Sequence, residues 1–83
     1  MNDINIKIRL FGAFRKYGEE ISFTVPAEGG LPAVRQKLES LVSANDKALV
    51  KSSAFANDER ILDENASISQ DACLAILPPV CGG

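Results

Sequence analysis

Cys73-Leu74-Ala75-Ile76-Leu77-Pro78-Pro79-Val80-Cys81-Gly82-Gly83 sets an apolar run directly before a structure breaker and finishes on two glycines. Leu74 to Leu77 contains nothing that favours solvent on either face and includes β-branched Ile76, so it reads as a buried strand. Pro78 and Pro79 end that strand. Each lacks a backbone N–H and fixes φ, so the pair predicts a stiff, extended segment leading away from a sheet. Val80 and Cys81 are small enough for a narrow passage. Gly82 and Gly83, without side chains, let a terminal carboxylate enter a slot that excludes any residue with a Cβ. The group this arrangement offers is the α-carboxyl of Gly83. The competing reading is a frayed end, against which stands the rigid diproline rooted in a buried strand.

Working back from the tail, Ile4, Ile6, Ile8 and Leu10 alternate with Asn5, Lys7 and Arg9, which predicts a strand from about Ile4 to Phe11 with one buried face. Phe11 to Gly18 reads as a loop with aromatic anchors. Ile21, Phe23 and Val25 alternate again and stop at Pro26, so the two strands form an antiparallel hairpin with a wide loop. Glu28-Gly29-Gly30 is turn chemistry, and Pro32 suits the first helical position because its missing donor would be unpaired there. The apolar period then changes. Leu31, Val34, Leu38, Leu41 and Val42 fall on one stripe of a helix from about Leu31 to Ser43, with Arg35, Gln36, Lys37, Glu39 and Ser40 on or beside the opposite face. So short a helix is marginal alone and must be held by packing on the sheet. Lys47 to Val50 adds a further turn, Ser53 to Asn57 a strand around Phe55, and Ile61-Leu62 a short paired segment. Asp63 to Asp71 is polar connection with Ile68 tucked inward, and the last strand begins near Ala72.

With 83 residues, 46% hydrophobic, the chain supports one modest core and no cleft between lobes, which argues against a self-contained enzyme. A net charge of −2 leaves no footprint for nucleic acid. No apolar stretch approaches the roughly 20 residues that cross a bilayer, and Met1-Asn2-Asp3 does not open a secretory signal, so the expected location is cytoplasmic. The absence of histidine removes Cys/His zinc sites, Ser-His dyads and imidazole acid–base chemistry. Cys73 and Cys81 flank the diproline and read as reduced thiols, Cys73 in the core at the head of its strand and Cys81 as a small residue for a narrow channel or a second nucleophile. Asp58-Glu59 is a solvated turn rather than a metal site. Lys7, Arg9, Arg15 and Lys16 form a small basic patch or merely an exposed strand face.

Strand, strand, helix, short strands and a final strand make an α+β layout with one helix crossing a mixed sheet. This succession resembles the β-grasp (ubiquitin-like) fold, and Leu77-Pro78-Pro79-Val80-Cys81-Gly82-Gly83 is similar to the end of the MoaD-type small subunit of molybdopterin synthase within the MoaD/ThiS family of sulfur carriers. The resemblance implies that the first and last strands lie parallel and adjacent at the sheet centre. It divides the chain into a β-grasp domain, residues 1–77, and an extended tail, residues 78–83. The family more often has serine or threonine at the position of Cys81.

The resemblance also implies a chemistry for Gly83. A carboxylate is a poor electrophile, so it is first joined to AMP and then converted to a thiocarboxylate, whose sulfur goes to cyclic pyranopterin monophosphate to build the molybdopterin dithiolene. The chain carries no phosphate-cradling loop of its own, so no cofactor is expected on it; ATP and magnesium belong to an E1-like adenylyltransferase, which works with a sulfur donor system. Catalytic residues would lie on the large subunit of a heterotetramer. That subunit encloses Pro78, Pro79, Val80, Cys81 and Gly82, with Phe11 and Phe14 forming part of the docking surface. A carrier for thiazole or tRNA thiolation, a ubiquitin-like modifier of lysines, and a β-grasp interaction module without carrier function stand as alternatives.

Overall fold

The computed structural model describes residues 3–79. The alternating segment forms β1 (Asp3–Leu10), with Ile4, Ile6, Ile8 and Leu10 buried and the residues between them exposed. It pairs antiparallel with β2 (Glu20–Pro26), Ile4 opposite Val25, Ile6 opposite Phe23 and Ile8 opposite Ile21. These apolar cross-strand pairs share the inner face, which fixes the register, because a slip of one residue would turn them all to solvent. Helix α1 (Gly30–Leu41) brings Leu31, Val34 and Leu38 into the same core. Each such side chain stabilises the fold by about 1.5–3 kcal/mol relative to exposure. A short helix α2 (Lys47–Ser52) follows, then β3 (Ala54–Ala56) and β4 (Ala72–Leu77).

The sheet order is β2-β1-β4-β3, with β1 and β4 parallel at the centre and β3 antiparallel to β4. The parallel central pair that the β-grasp resemblance implies is therefore present. Ile68 is buried from the long connection, as the sequence suggests. The Ile61-Leu62 pairing is slighter than expected: Ile61 makes a single bridge to Ala56 and stays 63% exposed, while the Leu62 N–H donates to the Phe55 carbonyl at 2.7 Å.

Several expectations require correction. The helix stops at Leu41 rather than near Ser43; Val42 is already extended and turns inward, and Leu41 is left 43% exposed instead of lying on the buried stripe. The segment between β1 and β2 is a 3-10 helix, Gly12–Tyr17, not an open loop. Cys73 is exposed, not core, because the period of two that turns Leu74 and Ile76 inward turns Cys73 outward. The same alternation leaves Ala75 and Leu77 half-buried on the outer face, so β4 is apolar on both faces while the core covers only one.

Candidate functional site

The site of interest is the end of the sheet where β4 runs into the diproline. Leu10 pairs with Ile76 at the last register position of the central parallel pair, and Leu77 lies opposite Ala54. The chain then leaves the sheet at Pro78, half-buried, and Pro79, exposed. Val80, Cys81, Gly82 and Gly83, to which the sequence assigns the passage and the reactive carboxyl, lie outside the described residues.

Phe11, Gly12 and Phe14, at the start of the 3-10 helix, lie beside this exit. Gly12 adopts φ +58°, in the left-handed region that side-chain-bearing residues avoid, and its bare Cα faces the Pro78 ring closely enough that an added Cβ would sit 2.8 Å from Pro78 Cγ. Phe14 points the other way and is fully buried. That overturns its place in the expected docking surface: the tight turn sends it into the core, and the cost of exposing an aromatic of this size keeps it there. Phe11 remains at the surface, 37% exposed, with the Arg9 guanidinium 5.9 Å from its ring centre.

The far end of the 3-10 helix is pinned by a polar cluster. The Tyr17 hydroxyl donates a short hydrogen bond to Asp46 and accepts one from the Ser43 N–H at 3.0 Å; Ser43 Oγ donates to Asp46 Oδ2 at 3.2 Å, and Lys16 Nζ stands 2.9 Å from the same oxygen. The Tyr17 hydrogen bond, aided by Lys16, holds the Asp46 carboxyl below its ordinary pKa, and Asp46 in turn raises that of Lys16. Nothing in the sequence pattern signals this cluster, since its members come from two turns 26 and 29 residues apart.

The outer face beside the exit is a strip of small apolar side chains: Cys73, Ala75 and Leu77 of β4, with Ala54 and Ala56 of β3 opposite the last two. Lys7 and Arg9 of β1 flank it. The four basic residues do not act as one patch, because Lys7 faces Glu20 at 3.7 Å and Lys16 is held by Asp46. Asp58 and Glu59 sit on an exposed turn whose amides at Glu59 and Arg60 donate to the Asn57 side chain at 2.8 and 2.9 Å. Among the described residues there is no group of three potential metal ligands and no helix long and apolar enough to cross a membrane.

A hollow of about 580 Å³ over Asn5, Lys7, Phe23, Asp71 and Cys73 lies toward the opposite end of the sheet. Its polar groups are spent on structure: Asp71 accepts the Asn5 N–H at 2.7 Å and its side-chain amide at 3.2 Å. The backbone bond, then the amide, holds the Asp71 carboxyl below its ordinary pKa. None of these groups forms a nucleophile with an adjacent base. The described residues offer a surface and a rooted stalk.

No protein-family model matches this chain, and no curated protein matches its sequence. Solved structures do resemble it. The Haloferax volcanii HVO 2177 protein superposes with a TM-score of 0.76 at 22% identity, over 98% of this chain and 88% of that one. A chain from the complex of subunits 1 and 2 of molybdopterin-converting factor from Helicobacter pylori 26695 gives 0.62 at 26% identity, over 96% of this chain and 100% of its own. The Caldiarchaeum subterraneum ubiquitin gives 0.67 at 18% identity, over 99% and 100% respectively.

Proposed function

We propose that this chain, a ubiquitin-like β-grasp protein of the MoaD/ThiS type, is a sulfur carrier whose Gly83 carboxyl is the cargo site, serving as the small subunit of a molybdopterin synthase. The observation that supports this reading best is the exit of the chain: the central strand β4, parallel to β1, delivers Pro78 and Pro79 at the sheet end, and four small residues ending in Gly82-Gly83 follow in the sequence. A frayed end needs no such root. The likeness to a molybdopterin-converting factor subunit that is seen in complex with its partner adds weight to the synthase role.

On this reading the carrier is not catalytic alone. A partner adenylyltransferase, using ATP and magnesium, joins the Gly83 carboxylate to AMP with release of pyrophosphate. A sulfur nucleophile from the donor system then displaces AMP, and glycine leaves the acyl carbon unhindered to that attack. The thiocarboxylate enters the large subunit, gives its sulfur to cyclic pyranopterin monophosphate and returns as the carboxylate. Enclosure of the extended tail in hydrogen bonds, each adding about 0.5–1.5 kcal/mol net, would supply affinity. Pro79, Phe11 and the apolar strip of Leu77, Ala75, Ala54 and Ala56 would meet the same partner.

A modifier role, in which Gly83 is joined to lysines, is the second reading, favoured by the likeness to the Caldiarchaeum subterraneum ubiquitin. Intact mass of the protein purified from its source separates the two. A fraction heavier by the difference between sulfur and oxygen supports the carrier; larger adducts on lysines support the modifier. A variant with one residue appended after Gly83 should fold and take no sulfur, and sulfur loading of that variant would refute the mechanism.

A further inference from the structure

We infer that Gly12 is a positioning residue for the tail: it forms a fixed seat for the Pro78 ring and thereby sets the direction in which the chain leaves the sheet. The inference rests on the carrier reading for its functional meaning, while the seat itself is a matter of geometry.

The seat is immobile on both sides. On one, Leu10 is locked in the sheet beside Ile76, and its N–H donates to the Glu19 carbonyl at 2.9 Å. On the other, the 3-10 helix is anchored by buried Phe14 and by the Tyr17, Ser43 and Asp46 cluster. Gly12 lies between these anchors with its Cα toward Pro78. A proline ring can relieve part of such a contact by changing its pucker at Cγ but cannot swing aside, so the remainder passes to the Pro78 backbone. Two firmly held parts in contact at the root of the tail act as a bearing for it.

The leverage is considerable. A Cβ on Gly12 would meet Pro78 Cγ at 2.8 Å and Cδ at 3.7 Å, so Pro78 must retreat by several tenths of an ångström to regain ordinary contact. Five residues drawn out fully in a partner's slot span at most ~17 Å, so a tilt of about ten degrees at Pro78 would shift the far end of such a span by roughly 3 Å. A tail root re-aimed on that scale spends binding energy to be brought back to the partner's slot, a loss that falls on seating rather than on the chemical step. Phe11 and the apolar strip would present unchanged; the left-handed φ of Gly12 adds a cost to fold stability, which thermal midpoints register apart from the geometric effect on encounter.

The test uses the full chain with the source organism's E1-like adenylyltransferase, followed by ATP–pyrophosphate exchange. Gly12→Ala is expected to raise KM for the carrier about tenfold while kcat changes less than about twofold, because productive seating is lost and chemistry after seating is not. Pro78→Ala, which removes the ring atom that the new Cβ would strike, is expected to cost about threefold alone. The double variant Gly12→Ala/Pro78→Ala should match Pro78→Ala, not the product of the two losses. Thermal midpoints measured alongside show which variants are folded. Unchanged KM in a folded Gly12→Ala protein, or multiplicative losses in the double variant, overturns the inference. Should Gly12→Ala fail to fold, Pro78→Ala decides: a KM within error of the parent overturns the seat. Absence of exchange with the unmodified protein refutes the carrier reading instead. In that event N–H residual dipolar couplings at Val80 and Cys81 judge the seat, which fails if Gly12→Ala leaves them unmoved.

Discussion

Replacing Arg35 by methionine removes the charged fork of α1 while keeping a stem of similar length. Arg35 is only 13% exposed at its side chain, and Nη1 donates to the Val50 and Ser53 carbonyls, each at 2.7 Å. Its guanidinium lies 4.9 Å from the Phe55 ring centre, and Nε and Nη2 grip Glu64 at 3.1 and 2.6 Å. One side chain thus ties α1 to the end of α2, to β3 and to the connection before β4. Two charge-assisted bonds at the lower end of their range contribute about 3 kcal/mol together. Stacking on Phe55 adds about 0.5–1 kcal/mol. Glu64, 57% exposed, adds about 0–1 kcal/mol, screened by solvent. Because methionine retains apolar contact with Phe55 and water can reach part of the site, the expected loss for Arg35→Met is about 3 kcal/mol, a fall in Tm of ~12–24 °C for a domain of this size. Urea and thermal unfolding of the parent, Arg35→Met and Glu64→Gln measure it. Glu64→Gln should stay within about 0.5 kcal/mol of the parent. A loss below about 1 kcal/mol for Arg35→Met would show that the carbonyls at 50 and 53 find water equally well and that the clamp is ornamental.

Leu38→Asp places a carboxylate at a fully buried core position, at a cost above about 4 kcal/mol, and circular dichroism should show an unfolded or largely unfolded chain. Phe14→Ala should lose about 3–5 kcal/mol in chemical denaturation, whereas Phe11→Ala, at the surface, should lose less than about 1 kcal/mol and reveal its role in partner binding instead. The pH dependence follows from Asp46. Its folded pKa is lowered by Tyr17 and Lys16, so its stabilising contribution is present above the unfolded carboxylate pKa and is lost as pH falls through the lower folded value. Thermal midpoints should therefore decline on acidification below the ordinary carboxylate range, and Asp46→Asn should flatten that decline; an equally steep fall in Asp46→Asn would transfer the effect to Asp71 or other groups.

The elements legible in the sequence are those whose period is enforced by the core. Alternation in β1 and β2, and the stripe of Leu31, Val34 and Leu38, translate directly into buried faces. Where a residue's surroundings come from distant parts of the chain, the pattern misleads. Arg35 reads as part of a solvated helix face, yet its partners at Val50, Ser53 and Glu64 lie 15, 18 and 29 residues away. Cys73 reads as core from its apolar neighbours, although strict alternation from Leu74 places it outside. Phe11 and Phe14 look equivalent in sequence, and only the 3-10 turn, one aromatic out and one in, separates them.

The tail root shows the same division at closer range. Pro78-Pro79 announces the end of a strand and a stiff departure from it, because proline's constraints are local. What the diproline leans on is not local: the fold brings Gly12 to Pro78 across 66 positions of sequence, by setting β1 parallel to β4 and turning sharply at the end of β1. A parallel central pair ends both strands at the same edge, so the turn after the first strand is necessarily the neighbour of the segment after the last. A side chain at position 12 would compete for the space that the Pro78 ring occupies. A glycine at position 12 satisfies the left-handed turn and clears the exit at once, and these two demands, separable by the double variant, are what bind the hairpin to the tail.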